Sequence, residues 1–176
     1  DRVQVTVGRG SHDATVTEHV MALTLALVTR LPHYLRLQGG HVWDGPGFRP
    51  LHSADRVATL IGARVLIWGF GSIGQHMAPL FTGLGAHVRG VASTAGDRGG
   101  YECFTEDALP QLLPATDVLV LVLPATPATR HALNAARMAA LPRTALVVNV
   151  GRGSCVDEAA LNAALRAGQL GGAGLD

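Results

Sequence analysis

Arg64-Val65-Leu66-Ile67-Trp68-Gly69-Phe70-Gly71-Ser72-Ile73-Gly74 is the stretch on which the reading of this chain turns. Four apolar residues of strand character run straight into Gly-x-Gly-x-x-Gly, and Gln75 to Leu80 continue with helical potential. Gly69 permits a tight strand-to-helix turn, Gly71 removes a Cβ so that a pyrophosphate can approach the backbone, and Gly74 lets helix and strand pack closely. The first N–H groups of such a helix have no intrahelical partner, and its dipole is positive at that end. With 22 glycines in 176 residues, chance spacings occur. The strand before this one and the helix after it supply the context that makes Gly69, Gly71, Ser72, Ile73 and Gly74 candidates for holding a dinucleotide.

Outward from that stretch the chain alternates strands and helices. Strands are predicted at 64–68, 86–92, 117–122, 144–150 and 171–175, and helices at 72–83, 105–113, 134–140 and 157–168. Val118 to Val122 and Ala145 to Val148 are continuous apolar runs, as parallel strands covered on both faces require. Short strands separated by helices give right-handed crossovers, so the expected fold is α/β, a doubly wound parallel sheet of the Rossmann type. Residues 61–176 form its core. Residues 1–60 add a possible short strand at Val3, Val5 and Val7 and an apolar helix from Thr17 to Leu31 that ends before Pro32. A Gly-rich loop from Gln38 to Asp55 completes that segment. The helix is apolar around most of its circumference and should be buried in the core or an interface.

Composition narrows the function. Apolar content of 48% argues against disorder, and a net charge of +1 gives no reason to expect nucleic acid. All 14 basic residues are arginine, which reads as compositional bias. The run Val20 to Val28, broken by Thr24, is far shorter than the roughly 20 residues of a membrane span. Two cysteines, Cys103 and Cys155, make no disulfide framework, so a cytoplasmic protein is the expectation. The chain opens on Asp1 without a methionine and stops at Gly174-Leu175-Asp176, and is read as a piece of something longer.

The end of the second strand bears on the cofactor. NAD sites usually place Asp or Glu there, about 20 residues past the glycines, to accept hydrogen bonds from the ribose 2′-OH. Val91-Ala92-Ser93-Thr94 contains no acid, and Arg98 follows closely. An acid would repel a 2′-phosphate, so Ser93, Thr94 and Arg98 favour NADP over NAD. The alternative is that Arg98 is a solvated loop residue and NAD is used loosely. Leu123-Pro124-Ala125-Thr126-Pro127-Ala128-Thr129 is a stiff loop at the cofactor edge, with Thr129 also able to cap the helix beyond it. Asn149-Val150-Gly151-Arg152-Gly153-Ser154 puts an arginine between two glycines just past a parallel strand, placed to reach a cleft. Guanidinium binds carboxylate bidentately. The competing reading pairs Arg152 with Asp157 or Glu158 as a helix cap.

Taken together, residues from about Val16 to Asp176 resemble the cofactor-binding domain of the D-isomer-specific 2-hydroxyacid dehydrogenases. The resemblance rests on Val16-Thr17-Glu18-His19, the Gly69–Gly74 turn, Leu123 to Pro127, Asn149 to Gly153 with Val156-Asp157-Glu158, and Gly174-Leu175-Asp176. It implies that Arg152 holds the substrate carboxylate and carbonyl and that Asp176 lies by the nicotinamide amide. It also implies that Ser72, Ile73, Leu123, Pro124, Thr129, Val150 and Gly151 line the dinucleotide. The family's adenosine-ribose acid would fall at Ala92, a departure that strengthens the NADP reading. Its general acid/base histidine, paired with a glutamate, lies beyond the position of Asp176, and none of the eight histidines here matches that motif. His19 and His131 are read as structural or surface residues. The family's substrate domain is largely absent.

The resulting expectation is the cofactor domain of an NAD(P)-dependent oxidoreductase passing hydride between nicotinamide and a 2-keto or 2-hydroxy acid. As a homodimer it would use the apolar N-terminal helix as interface, and as a fragment it would turn over little. The rival is an NAD(H)-responsive corepressor of the same fold, a dimerising binding module. A methyltransferase that uses the glycine turn for S-adenosylmethionine explains neither Arg152 nor the Thr-Pro loop.

Overall fold

The computed structural model describes residues 3–4, 8, 10–43, 52–53 and 55–176. Among them run α1 (Asp13–Val28), α2 (Leu31–Gly39), a short antiparallel pair β1 (His52–Ser53) and β2 (Arg56–Val57), β3 (Arg64–Trp68), α3 (Ser72–Gly83) and β4 (His87–Val91). There follow β5 (Gly96–Asp97), β6 (Glu102–Phe104), α4 (Leu109–Leu112), β7 (Val118–Leu121), α5 (Ala135–Ala139), β8 (Leu146–Asn149), α6 (Glu158–Arg166) and β9 (Gly172–Leu175).

Seven strands form one sheet in the order β5-β6-β4-β3-β7-β8-β9, parallel throughout except for β5, which runs antiparallel to β6 at the edge. Alternate residues of each central strand feed two cores. Ile67, Val65, Val118, Val120 and Val148 pack under α1 and α3 with Met77 and Phe81. Leu66, Trp68, Leu119, Leu121 and Val147 pack under α4 to α6 with Leu109, Met138 and Leu161. Both faces are dry, which is why these strands read as unbroken apolar runs. The strand order reverses between β3 and β7. The chain leaves those neighbours toward opposite faces, and a crevice opens at their carboxyl ends.

Several elements differ from the sequence reading. The first helix begins at Asp13 rather than Thr17, and Thr17 is buried inside it. It ends at Val28, but Pro32 then opens α2 from a first-turn position, where its missing N–H costs nothing. α1 supplies Val20 and Val28 to the core but leaves Leu25 exposed, while Leu31, Leu35, Val42 and Trp43, on and just after α2, form a run of exposed apolar side chains. The predicted loop from Gln38 to Asp55 begins inside the last turn of α2 and contains β1, whose partner β2 lies just beyond it, with Val5, Val7 and residues 44–51 outside the described residues. The helix expected over 105–113 is broken into a 3-10 turn at Glu106–Ala108, α4, and a second 3-10 turn at Leu113–Ala115. Pro110 and Pro114 remove the N–H groups that a continuous helix needs. The edge strands β5 and β6 are too short for alternation to reveal.

At the opposite, amino end of the sheet, Arg64 is clamped to Asp117. Its backbone N, Nε and Nη2 donate to the two carboxylate oxygens at 2.8–2.9 Å. The hydrogen-bonded carboxylate raises the Arg64 pKa above its ordinary value, against a smaller opposing effect of burial. The clamp joins the start of β3 to the start of β7. Among the described residues no helix is long and apolar enough to cross a membrane.

Candidate functional site

The glycine turn sits at the crevice. Gly69 has φ of +105°, and a Cβ there would collide with the Val122 carbonyl, lying 2.8 Å from its carbon. Only glycine fits. A Cβ at Gly74 would press on Gly69 O at 3.0 Å and Ile67 Cγ2 at 3.3 Å, so that glycine sets how closely α3 approaches β3. Gly71 is different: a Cβ there would meet nothing within 4 Å. The space it leaves is open. Among the described residues no side chain caps α3, which leaves its first-turn N–H groups free for a ligand, and the positive end of its dipole faces the opening. That opening is a cavity of about 570 Å³ lined by Asp13, Gly71, Ser72, Gln75, His76 and Arg98. Ile73 is half-buried in the first turn behind it. Open space, free donors and a favourable dipole fit a diphosphate. The sequence reading missed Asp13, whose carboxylate accepts a hydrogen bond from Ser72 Oγ across the cavity.

A second cavity of about 570 Å³ adjoins the turn, walled by Trp68, Val91, Ala92, Ser93, Val122, Leu123, Pro124 and Thr129, with Arg98, Thr105 and Glu106 at its polar side. Arg98 borders both cavities and is half-buried rather than a solvated loop residue. Its Nη1 donates to Phe70 O at 3.0 Å, and its Nη2 to Thr94 Oγ1 at 2.7 Å and Thr94 O at 3.2 Å. Ser93 and Thr94 are exposed. The guanidinium is thereby held at the lip of the site. Thr129 does not cap the helix beyond it, which Asn134 caps through Arg137 N at 3.0 Å. Instead Thr126 and Thr129 form a reciprocal box around the turn Pro127–Thr129, and Thr129 Oγ1 also donates to Pro124 O at 2.6 Å. Those bonds, more than the prolines alone, fix the loop.

The sequence contains no acid at the end of the second strand, but the fold brings one into this cavity from elsewhere. Glu106 follows β6. Trp68 Nε1 donates to its Oε1 at 3.3 Å, and Arg137 Nη2 to its Oε2 at 3.4 Å.

The third part of the site follows β8. Asn149 is 3% exposed; its Nδ2 donates to Arg152 O at 3.2 Å, and its Oδ1 accepts from Gly151 N at 3.1 Å. A single buried amide thus shapes the Gly151-Arg152-Gly153 loop. A Cβ at Gly151 would lie 2.6 Å from Leu123 O, so the loop packs backbone to backbone against the Leu123–Thr129 loop. Val150 and Cys155 are buried beside it, with Cys155 Sγ 3.6 Å from Pro124 O. Arg152 itself is exposed, and Asp157 caps α6 through Ala160 N. The expected alternative, Arg152 paired with Asp157 or Glu158, is absent among the described ion pairs. The one hydrogen bond recorded for its side chain runs to Gly151 O at 2.9 Å. A guanidinium so placed can receive a carboxylate. Asp176 is joined to the same strand end, its N donating to Asn149 O at 3.0 Å. Its Oδ1 lies 3.4 Å from Nε2 of His19, a surface histidine that the sequence did not place at the site. His131 is exposed, at φ of +50°, and its N donates to Ser154 O.

A doubly wound sheet with this glycine turn at its switch point defines a dinucleotide-binding α/β domain. Residues 21–176 match the family described as D-isomer specific 2-hydroxyacid dehydrogenase, NAD binding domain, and the chain belongs to that family. It is 34% identical over 178 residues to a glycerate dehydrogenase of Hyphomicrobium methylovorum, covering 98% of this chain and 54% of that one. Among solved structures it resembles a D-isomer specific 2-hydroxyacid dehydrogenase of Xanthobacter autotrophicus Py2 in complex with NADPH. The TM-score is 0.83 at 34% identity, over 100% of this chain and 69% of that one. It also resembles an NADPH-dependent glyoxylate/hydroxypyruvate reductase of Sinorhizobium meliloti in complex with NADP and sulfate. There the TM-score is 0.80 at 32% identity, over 97% of this chain and 52% of that one. The chain spans about half the length of the curated relatives it matches.

Proposed function

We propose that this chain is the cofactor-binding part of an NADP-preferring 2-hydroxyacid dehydrogenase or 2-ketoacid reductase, with Arg152 as its substrate-orienting residue. The observation that carries the proposal is Arg152: an exposed guanidinium, held between two glycines by buried Asn149, on the loop that packs against the Leu123–Thr129 edge of the crevice. Bound in the crevice, a nicotinamide dinucleotide supplies or accepts the hydride. Gly71 leaves room for its diphosphate, and the first-turn N–H groups at Ser72 and Ile73 receive its charge. Gly69, Gly74 and Gly151 hold the turn and the loop close enough to form the walls, with Leu123, Pro124 and Thr129 lining them and Val150 buried at the base of the Gly151 loop. Arg152 binds the substrate carboxylate and polarises the carbonyl as charge develops on oxygen. Asp176, tied to β8 through Asn149 O, faces the nicotinamide amide. The proton is supplied by the histidine that the family carries beyond the position of Asp176.

NADP preference rests on Arg98, fixed at the lip by Thr94 and Phe70 O beside the exposed Ser93, and on the absence of an acid at Ala92. A 2′-phosphate would gain a charge-assisted contact there. The NADP-bound relatives are consistent with it. The dehydrogenase and reductase names of the relatives favour an enzyme over a corepressor-like module. The chain is further proposed to pair with a second copy through the exposed apolar side chains at α2, rather than through the buried face of α1.

Parallel titration of this chain with NADPH and NADH, followed by nicotinamide fluorescence, tests the reading. Tighter NADPH binding supports it. A clear NADH preference overturns the assignment of Arg98, and binding of neither overturns the site in this chain.

A further inference from the structure

The crevice carries a carboxylate that no part of the proposed reaction uses. Glu106 enters the second cavity from the turn after β6, and two contacts fix its orientation. Buried Trp68, 1% exposed, donates its indole N–H to Oε1 at 3.3 Å. Arg137 donates to Oε2 at 3.4 Å, and its guanidinium is itself pinned by Ala132 O at 2.6 Å and stacked 4.9 Å over the Trp68 ring. Each carboxylate oxygen still has a lone pair free to accept another hydrogen bond. Trp68, Val91, Val122, Leu123 and Pro124 form the apolar part of the cavity around it, a surface of the kind that receives a flat ring, with Ser93, Arg98, Thr105 and Thr129 on its polar side. An oriented acceptor at the edge of such a surface selects a ring with a donor at the matching position. It rejects one that presents a carbonyl oxygen there, because the two acceptors would then oppose each other without a proton between them.

We infer that Glu106 reads the base of the dinucleotide, accepting a hydrogen bond from the exocyclic amine of adenine and discriminating against bases that carry oxygen at that position. The inference rests on the proposed dinucleotide site. Glu106 is then a specificity residue on the binding side of the reaction, remote from the hydride. Arg137 and Trp68 act through it by holding the carboxylate in place.

The test compares the reduced adenine dinucleotide with its hypoxanthine counterpart, in which the amine is replaced by a carbonyl; the phosphorylation state that binds more tightly is used for both. Both are fluorescent, so the wild-type chain and Glu106→Gln are titrated alike. Wild type should bind the adenine form at least about ten-fold more tightly, the worth of one hydrogen bond to a charged group. In Glu106→Gln the carboxamide can accept from an amine or turn and donate to a carbonyl, so the ratio should collapse toward one. The melting temperature of the variant separates this from loss of fold, and the ratio of two ligands on one protein is insensitive to general damage. Equal wild-type affinities, or an unchanged ratio in the variant, overturn the role of Glu106 while leaving the dinucleotide site standing. Binding of neither ligand by wild type overturns both.

Discussion

Gly71→Ala should separate folding from cofactor binding, because the three glycines of the turn differ in what surrounds them. Gly71 has φ of −91° and ψ of −150°, extended backbone open to alanine, and its added Cβ meets nothing within 4 Å. The folded state therefore loses nothing, while the unfolded chain loses freedom, so stability should rise by about 0.4–1 kcal/mol. For a chain of this length that moves the melting temperature up by about 1–4 °C. The methyl group would stand in the space that a diphosphate needs to reach the first-turn N–H groups of α3. Losing one such charge-assisted hydrogen bond, about 1.5–3 kcal/mol, weakens NADPH binding roughly ten- to a hundred-fold. Gly69→Ala should do the opposite kind of damage. Its φ of +105° and the Val122 backbone in the path of a Cβ combine left-handed strain with overpacking, together roughly 2–5 kcal/mol of stability. Thermal denaturation and NADPH titration of both variants decide the matter. Gly71→Ala binding NADPH as wild type does would refute the placement of the diphosphate at this turn.

Three further outcomes are expected. Arg152→Ala should leave melting within about 0.5 kcal/mol of wild type and dinucleotide affinity unchanged, since its side chain bonds only to its own neighbour among the described residues. On the proposed function, 2-keto acid turnover by a protein that joins this chain to a substrate domain should weaken at least about ten- to a hundred-fold, measured as kcat/KM. Ala92→Asp should reverse the NADPH preference in the paired titration, by placing an acceptor for a 2′-OH where a 2′-phosphate would be repelled. Burial raises the pKa of the Cys103 thiol, outweighing nearby Arg98. The folded state then holds the thiol proton to higher pH than the unfolded state does. Its contribution to stability is complete below the ordinary thiol pKa and is lost as pH rises through the elevated folded value. Alkaline denaturation of Cys103→Ala should therefore begin at higher pH than that of wild type. Coincident alkaline curves would remove the claim.

The sequence by itself determined the sheet core and the place of the glycine turn at its strand ends. Short continuous apolar runs such as Val118 to Val122, alternating with helical segments, read as strands dry on both faces, and Gly69 and Gly74 are required by local backbone and close packing. Arg152 stood out because an arginine between glycines has nowhere local to pack. These signals are short-range, carried by neighbours along the chain. What only the tertiary structure decided lies in contacts across long separations. Asp13 reaches Ser72 because α1 docks beside α3, and Asn149 shapes the Arg152 loop through backbone atoms that no pattern of side chains reveals. The division of α1, with one face buried, from α2, with no buried residue, turned on which apolar residues found the sheet. Glu106 shows the reason most directly. A carboxylate that the sequence did not place at the site reaches the crevice from the next strand of the sheet, because β6 pairs with β4 and delivers the following turn to the same cavity.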